Sequence, residues 1–150
     1  MDLIIVFLFW VVGFGAFSFA LKRKINNWIS RIKLPIFLKY YLILTPIIFL
    51  EEILTIEVPY FWGVLPILLS FYLLFFFIYL LQRFIIHSYK VIVFITGILG
   101  WINEFIFVGR IHQFEFDLTL IIMSILCCLI YSVMAIIPCY VLQEHIKEKN

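Results

Sequence analysis

The sequence is short of charge for its length. Charged residues make up 13% of the 150 residues, whereas 66% are hydrophobic. A soluble domain carries about a quarter charged residues and about half apolar ones, and a chain this short keeps much of its surface in water. The sequence also lacks the polar–apolar alternation of barrel strands. We therefore expect an all-α integral membrane protein in which residues 1–150 form a single polytopic domain.

Common sequence motifs of phosphate binding, hydrolysis and zinc binding are also missing. The sequence has no Gly-rich phosphate loop, no GxSxG and no HExxH. Three cysteines lie in one apolar run without CxxC spacing, at Cys127, Cys128 and Cys139. They predict small packing residues rather than a zinc or redox site. His87, His112 and His145 are too far apart in the expected threading to share a metal. We therefore expect no metal, no cofactor and no nucleic-acid partner.

Long apolar runs fill most of the chain. They cover residues 3–21, 35–58, 61–81, 91–109 and 118–142. The first run holds 19 residues without a charge, which is about 28 Å of helix and enough to cross a bilayer core. Its length and the acidic Asp2 argue against a cleaved signal peptide, which starts with a basic region. The runs predict five transmembrane helices.

Residues 22–33, KRKINNWISRIK, form the first polar segment, with five basic residues and no acid. Apolar residues recur at helical spacing, from Ile25 to Ile32. Such a pattern predicts a short amphipathic helix that lies in the membrane interface and contacts membrane lipids. Its expected anchor residues are Lys22, Arg23, Lys24, Trp28, Arg31 and Lys33.

The positions of the basic residues predict the threading. If residues 22–33 are cytoplasmic, five crossings also place residues 82–90 and the C-terminal tail inside. Every Lys and Arg except Arg110 then falls on the cytoplasmic side, as the positive-inside rule requires. We expect a multi-pass protein of the cell membrane with the N-terminus outside and the C-terminus cytoplasmic.

Acidic side chains interrupt two of the apolar runs. An ionised side chain at the centre of a transmembrane helix costs roughly 2.5–3.5 kcal/mol, so these acids need partners, water or protons. We expect the acids of the second and fourth helices to lie at matching depth. The predicted interior polar site consists of Glu51, Glu52, Asn103, Glu104, Thr45 and Thr55.

Small residues share one side of the predicted fourth helix with its acid. Gly97, Gly100 and Glu104 follow helical spacing, and small residues let another helix approach closely. We expect this face to pack on the second helix, so that Glu52 and Glu104 meet. Two interpretations stay open: a functional pocket for an ion, proton or substrate, or acids that only link helices by hydrogen bonds.

The pair Glu51-Glu52 and the string NEFIFVG at 103–109 resemble a local motif of membrane-embedded glutamic proteases. In that CAAX-processing and bacteriocin-processing family, a Glu pair precedes an aromatic residue, Arg and Gly. Here Thr55, Ile56 and Glu57 replace the remainder of the motif, and residues 103–109 lack the first Glu and the Arg. The resemblance implies an intramembrane enzyme as the alternative function.

The family's later histidine motifs have no counterpart, and the apolar runs contain no histidine that could hold a catalytic water. We therefore assign no catalytic residue and favour a non-enzymatic function. The protein would be a small carrier, an ion- or proton-linked element, or a subunit of a larger membrane complex. Five crossings are few for a complete transporter, so we expect a homo-oligomer or a partner protein.

Overall fold

The computed structural model describes residues 5, 7–55, 61–107 and 118–148, and all of the regular secondary structure within them is helical. Its five α-helices, numbered here in chain order, are α1 Gly15–Ser30, α2 Ile36–Thr55, α3 Phe61–Phe84, α4 Tyr89–Ile102 and α5 Leu118–Lys147. A π-helical segment, Phe7–Phe14, precedes α1, and a second, Asn103–Phe107, follows α4. The predicted all-α class is confirmed.

Three helical stretches are long and apolar enough to cross a membrane. They are Ile67–Phe84, Tyr89–Ile106 and Leu118–Lys147. The expectation of five spans is confirmed only in part, because the described residues contain three such stretches. The other two helices carry more charge, because α1 includes three consecutive cations and α2 contains Lys39, Glu51 and Glu52. A membrane location is therefore supported by composition and length.

The polar segment after the first apolar run does not form a separate interfacial helix, so this prediction was wrong. Its first nine residues are the C-terminal part of α1, which ends at Ser30. No Gly or Pro interrupts the chain between residues 16 and 34, and Lys and Arg are good helix formers. The predicted apolar stripe is only partly buried within α1, since Ile29 is buried and Trp28 is exposed.

The longest helix, α5, lies at the centre of the bundle and contacts all four others, α4 most extensively. Its 30 residues extend about 45 Å. Gly15 lies against Val133, and Lys22 lies over the Tyr140 ring, so α1 runs parallel to α5. The Tyr89 amide binds Gln143 while Gly97 lies against Ser132, so α4 runs antiparallel.

The remaining two helices continue this alternation. In α2, Tyr40 interacts with Cys139 and Glu51 with Tyr131, which makes α2 antiparallel to α5. In α3, the Phe71 ring stacks on Tyr131, and Gln82 donates to the Cys139 carbonyl, which makes α3 parallel. Successive helices therefore run in opposite directions along the whole chain.

Large aromatic side chains fill the interface between α2 and α3. The Phe37 ring lies 5.3 Å from the Tyr79 ring, and Tyr41 stacks on Tyr72 at 5.8 Å between ring centroids. The Tyr41 hydroxyl also donates to the Tyr72 carbonyl at 3.1 Å. Offset and edge-to-face pairs of this kind stabilise a contact beyond the area they bury.

The interface between α4 and α5 contains glycine on the α4 side, in contrast to the large aromatic residues between α2 and α3. A Cβ at Gly97 would lie 2.6 Å from the Cys128 carbonyl oxygen, and a Cβ at Gly100 would lie 2.6 Å from the Tyr131 Cβ. The two helices therefore approach through the glycine face of α4. We expected this face to pack on α2; it packs on α5 instead, because the next helix along the chain lies beside it.

Candidate functional site

Four of the six residues predicted for an interior polar site are buried in the bundle. The exposed fractions are 8% for Glu51, 5% for Glu52, 8% for Asn103 and 5% for Glu104. Carboxyl groups are almost never buried to this extent unless they are paired. Their burial therefore calls for partners within the bundle.

Glu104 finds a partner on α5. The Tyr131 hydroxyl donates a hydrogen bond of 2.8 Å to Glu104 Oε1. Gly100, one turn before Glu104, leaves the space that the Tyr131 ring occupies. On its other side the ring stacks on Phe71, with centroids 5.3 Å apart and planes 9° from parallel. The tyrosine is thus held between α3 and α4 with its hydroxyl directed at the acid.

A change of helix type occurs where the polar residues begin. The α-helix ends at Ile102, and the π-helical segment starts at Asn103. A π-turn spreads consecutive side chains over a smaller angle than an α-turn does, and such turns are frequent at functional sites. Asn103, Glu104 and Phe105 are accordingly all buried, although they are consecutive in sequence.

Glu51 approaches the same tyrosine from α2, and its charge interacts with the Tyr131 hydroxyl. Acids from two different helices therefore converge on one tyrosine of a third. Glu52 is buried as well, and its predicted meeting with Glu104 stays a prediction.

Asn103 points to a different neighbour. Its Nδ2 donates to Ser70 Oγ at 3.3 Å, and the Ser70 hydroxyl donates to the Ile67 carbonyl at 2.8 Å. This contact links the start of the π-helical segment to α3. It lies next to the acid cluster in sequence but connects a different pair of helices.

The predicted Thr45 contacts α3 rather than the acids. Thr45 Oγ1 accepts a hydrogen bond of 3.1 Å from the Tyr72 hydroxyl, so Thr45 belongs to the aromatic α2–α3 interface. It lies about 9 Å along α2 from Glu51. The side chain of Thr55 lies outside the described residues.

The acid cluster lies near the middle of α5, although Glu51 and Glu104 are within about one turn of the described ends of α2 and of the second π-helical segment. Tyr131 is about 20 Å along the axis from Leu118 and about 24 Å from Lys147. A hydrocarbon core is about 30 Å thick. If α5 crosses a bilayer, the cluster therefore lies deep within the hydrocarbon region.

Sequence reasoning missed Tyr131 and Ser70. Tyr131 lies within the long apolar run of the last helix, and its hydroxyl group was the feature that could have identified it. A buried tyrosine usually finds a hydrogen-bond partner, and the buried acids of the preceding runs are suitable acceptors. Ser70 gives a weaker signal, because serine hydroxyls in helices are often satisfied by a carbonyl of the preceding turn.

The predicted interfacial anchor residues divide into two groups. Lys22 is partly buried, and its Nζ donates to the Tyr89 hydroxyl at 2.7 Å. The other five are exposed: Arg23, Lys24, Trp28, Arg31 and Lys33. Lys22 therefore joins the helix bundle, while the others remain open to the surroundings.

The two described histidines lie away from the acids. His87 is exposed and its Nδ1 lies 3.2 Å from the Gln82 carbonyl, while His145 lies about 21 Å along α5 from Tyr131. His112 lies outside the described residues. Within residues 7–55, 61–107 and 118–148, no group of three or more His, Cys, Asp or Glu side chains converges as a metal site requires.

No protein-family model matches the chain, and neither a curated protein nor a solved structure matches it.

Proposed function

We propose that the chain crosses the membrane five times, with α1 and α2 crossing beside the three apolar spans. Two observations support this proposal. The helices alternate in direction, and α1 lies against α5 from the level of Val133 to that of Tyr140. Over this stretch of about 10 Å, α1 therefore lies at the same depth as α5.

The proposed orientation has the N-terminus outside and the C-terminus cytoplasmic. It rests on the positive-inside rule. The contact of Lys22 with Tyr89 and Tyr140 supports one part of this orientation, because it brings the middle of α1 and the C-terminal third of α5 to the level at which α4 starts. The basic residues 22–24 and 90 accordingly share one side.

We further propose that the interior carboxylates bind a single positive charge, either a proton or a small inorganic cation. The observation that carries this proposal is the convergence of Glu51 and Glu104 on Tyr131 at mid-length of α5. One ionised acid in a membrane helix costs roughly 2.5–3.5 kcal/mol, and two close together repel each other in addition. A bound positive charge removes most of this cost.

Such a site makes the protein a non-enzymatic carrier element, an ion- or proton-linked component, or a subunit of a membrane complex. If the interior acids only linked helices by hydrogen bonds, they would not need to bind or release a proton or a cation. The distinction is therefore whether the site takes up and releases a positive charge. The expected homo-oligomer or larger complex stays a prediction.

Infrared spectroscopy of the protein in lipid vesicles tests the proposal, since protonated and ionised carboxyl groups absorb at different frequencies. In a pH titration, we expect a buried carboxyl signal that Glu104→Gln removes and that the exposed-site control Glu148→Gln leaves in place. A response of the same signal to NaCl or KCl at fixed pH identifies a cation; a response to pH alone identifies a proton. A spectrum that Glu104→Gln leaves unchanged contradicts the proposal.

The alternative, an intramembrane protease, is not favoured by any described contact. A hydrolase of this type needs a base that holds a water molecule. The two described histidines lie away from the Glu104–Tyr131 bond, at the Gln82 carbonyl and in the last turns of α5. Cleavage of a peptide by the purified protein, abolished by Glu51→Gln, would reverse this preference.

A further inference from the structure

One lysine at the end of the bundle is held against three aromatic rings. Lys22 Nζ lies 4.6 Å from the Phe19 centroid, 4.8 Å from that of Tyr89 and 5.3 Å from that of Tyr140. It also donates to the Tyr89 hydroxyl at 2.7 Å. A cation over several ring faces is attracted to each of them, so Lys22 is fixed where α1, α4 and α5 meet.

The rings around this lysine are themselves held in place. The Tyr89 backbone amide donates to Gln143 Oε1 at 2.6 Å. Its ring meets the Tyr140 ring edge-on, with centroids 5.4 Å apart. The ammonium group therefore has a defined position before any ligand arrives, and a pre-ordered group loses little conformational freedom on binding.

Further positive charge gathers at the same junction. Lys90 follows Tyr89 in the first turn of α4 and is exposed, and Arg23 and Lys24 are exposed beside Lys22. The positive end of the α4 dipole lies here too. In the part of the chain that the structure describes, none of these four cations has an ion-pair partner; the ion pair found there joins Lys147 to Glu144.

The depth of the junction suits a lipid headgroup. Tyr140 lies about 14 Å along α5 from Tyr131, close to half the thickness of a hydrocarbon core of about 30 Å. If the middle of α5 lies at the bilayer centre, Lys22 lies at the level where acyl chains end and phosphates begin. Exposed Trp28, on the next turns of α1, is a residue typical of this interface.

We propose that the junction formed by Lys22, Tyr89, Tyr140 and Lys90 binds the phosphate headgroup of an anionic phospholipid. The fixed ammonium group of Lys22 and the exposed one of Lys90 supply the positive charge. The neighbouring aromatic rings contact the upper part of the acyl chains. This site is separate from the interior carboxylates, and neither proposal depends on the other.

Electron paramagnetic resonance with spin-labelled lipids measures the selectivity directly. The protein is reconstituted in phosphatidylcholine vesicles, and the relative association of labelled phosphatidylglycerol and labelled phosphatidylcholine is compared. We expect a preference for phosphatidylglycerol that Lys22→Gln reduces about fivefold, the effect of one basic residue near an anionic surface. Lys22→Arg keeps the charge and stacks on aromatic rings, so it should retain the preference.

Lys33→Gln is the matched control, because Lys33 is an exposed cation after the same helix and outside the ring cluster. A defined site predicts that Lys33→Gln changes the selectivity much less than Lys22→Gln does. Equal losses would mean a diffuse charge effect, and they would overturn the proposal, as would a wild-type protein without preference for phosphatidylglycerol. Tyr89→Phe removes the hydroxyl that orients Lys22 and conserves the ring. We expect it to reduce the preference for phosphatidylglycerol less than Lys22→Gln does, which tests the site without a change of charge.

Discussion

The Tyr131 hydroxyl donates a hydrogen bond of 2.8 Å to Glu104 Oε1, across the interface between α4 and α5. Both residues are buried, and the tyrosine ring is fixed by its stacking on Phe71. Glu51 interacts with the same tyrosine from α2. One hydroxyl group of the central helix is therefore bonded to an acid that follows α4 and is influenced by the charge of an acid on α2.

Removal of this hydroxyl should weaken the bundle without disturbing its packing. Tyr131→Phe conserves the stacked ring and deletes the donor. Hydrogen bonds between membrane helices contribute about 0.6 kcal/mol on average and up to about 1.7 kcal/mol, and an acid as acceptor favours the upper part of this range. We expect a loss of about 1–2 kcal/mol in denaturant unfolding in detergent.

A double-mutant cycle with Glu104→Gln separates this bond from other effects of the substitutions. The coupling energy between residues 104 and 131 should exceed about 0.5 kcal/mol. Tyr41→Phe is a control for the loss of a tyrosine hydroxyl at a half-buried position elsewhere. Additive losses at 104 and 131 would show that the two groups do not interact.

Because α4 and α5 lie so close together, a methyl group added at a glycine of their interface should destabilise the protein. Gly97→Ala places a Cβ 2.6 Å from a backbone oxygen of α5, which can move only if the helix moves. Overpacking of this kind costs about 1–3 kcal/mol. Gly100→Ala should cause a loss of stability of similar size and should also displace Tyr131 from Glu104. Thermal unfolding in detergent measures both losses.

Gly15→Ala is the matched control, because its Cβ would lie 3.5 Å from Val133 Cγ2, an ordinary contact. Alanine also favours the helix over glycine by up to about 1 kcal/mol. We expect the stability of this variant to be unchanged or slightly raised. A Gly97→Ala protein as stable as Gly15→Ala would contradict the described packing of α4 on α5.

The proposed threading predicts which positions are accessible from each side. In a variant whose three cysteines are replaced by Ser or Ala, single cysteines at the exposed positions Asn27, Ser88 and Glu148 should react with a membrane-impermeant maleimide from the cytoplasmic side. A cysteine at Asp2 should react from the opposite side. Reaction of Asp2→Cys and Asn27→Cys from the same side would show that α1 does not cross.

The sequence identified the helical class and the buried acids for a clear physical reason. Long apolar runs have no other stable form in a bilayer than helices, and an acid within such a run has a high cost unless it faces the bundle interior. Glu51, Glu52, Asn103 and Glu104 are buried as expected. These features follow from composition along the chain and need no knowledge of helix neighbours.

Helix neighbours could not be predicted in the same way. A face of small residues predicts that another helix packs closely against it, but it does not identify that helix. The glycine face of α4 was therefore wrongly assigned to α2. Likewise, the polarity of residues 22–33 suggested a separate interfacial helix, whereas backbone propensity lets α1 continue to Ser30. The approach of Glu51 to Tyr131 was not predicted for a related reason, since Glu51 and Glu52 lie about 100° apart on α2 and the sequence does not show which neighbour each one faces.

The most direct test of the interior carboxylate site is a comparison of the infrared titrations of Glu51→Gln, Glu104→Gln and the double variant in lipid vesicles. Two acids that share one positive charge titrate as a coupled pair, in steps that belong to both. We predict that either single substitution alters the titration of the acid that remains. Two independent titrations, in which each substitution deletes only its own step, would contradict a shared site at Tyr131.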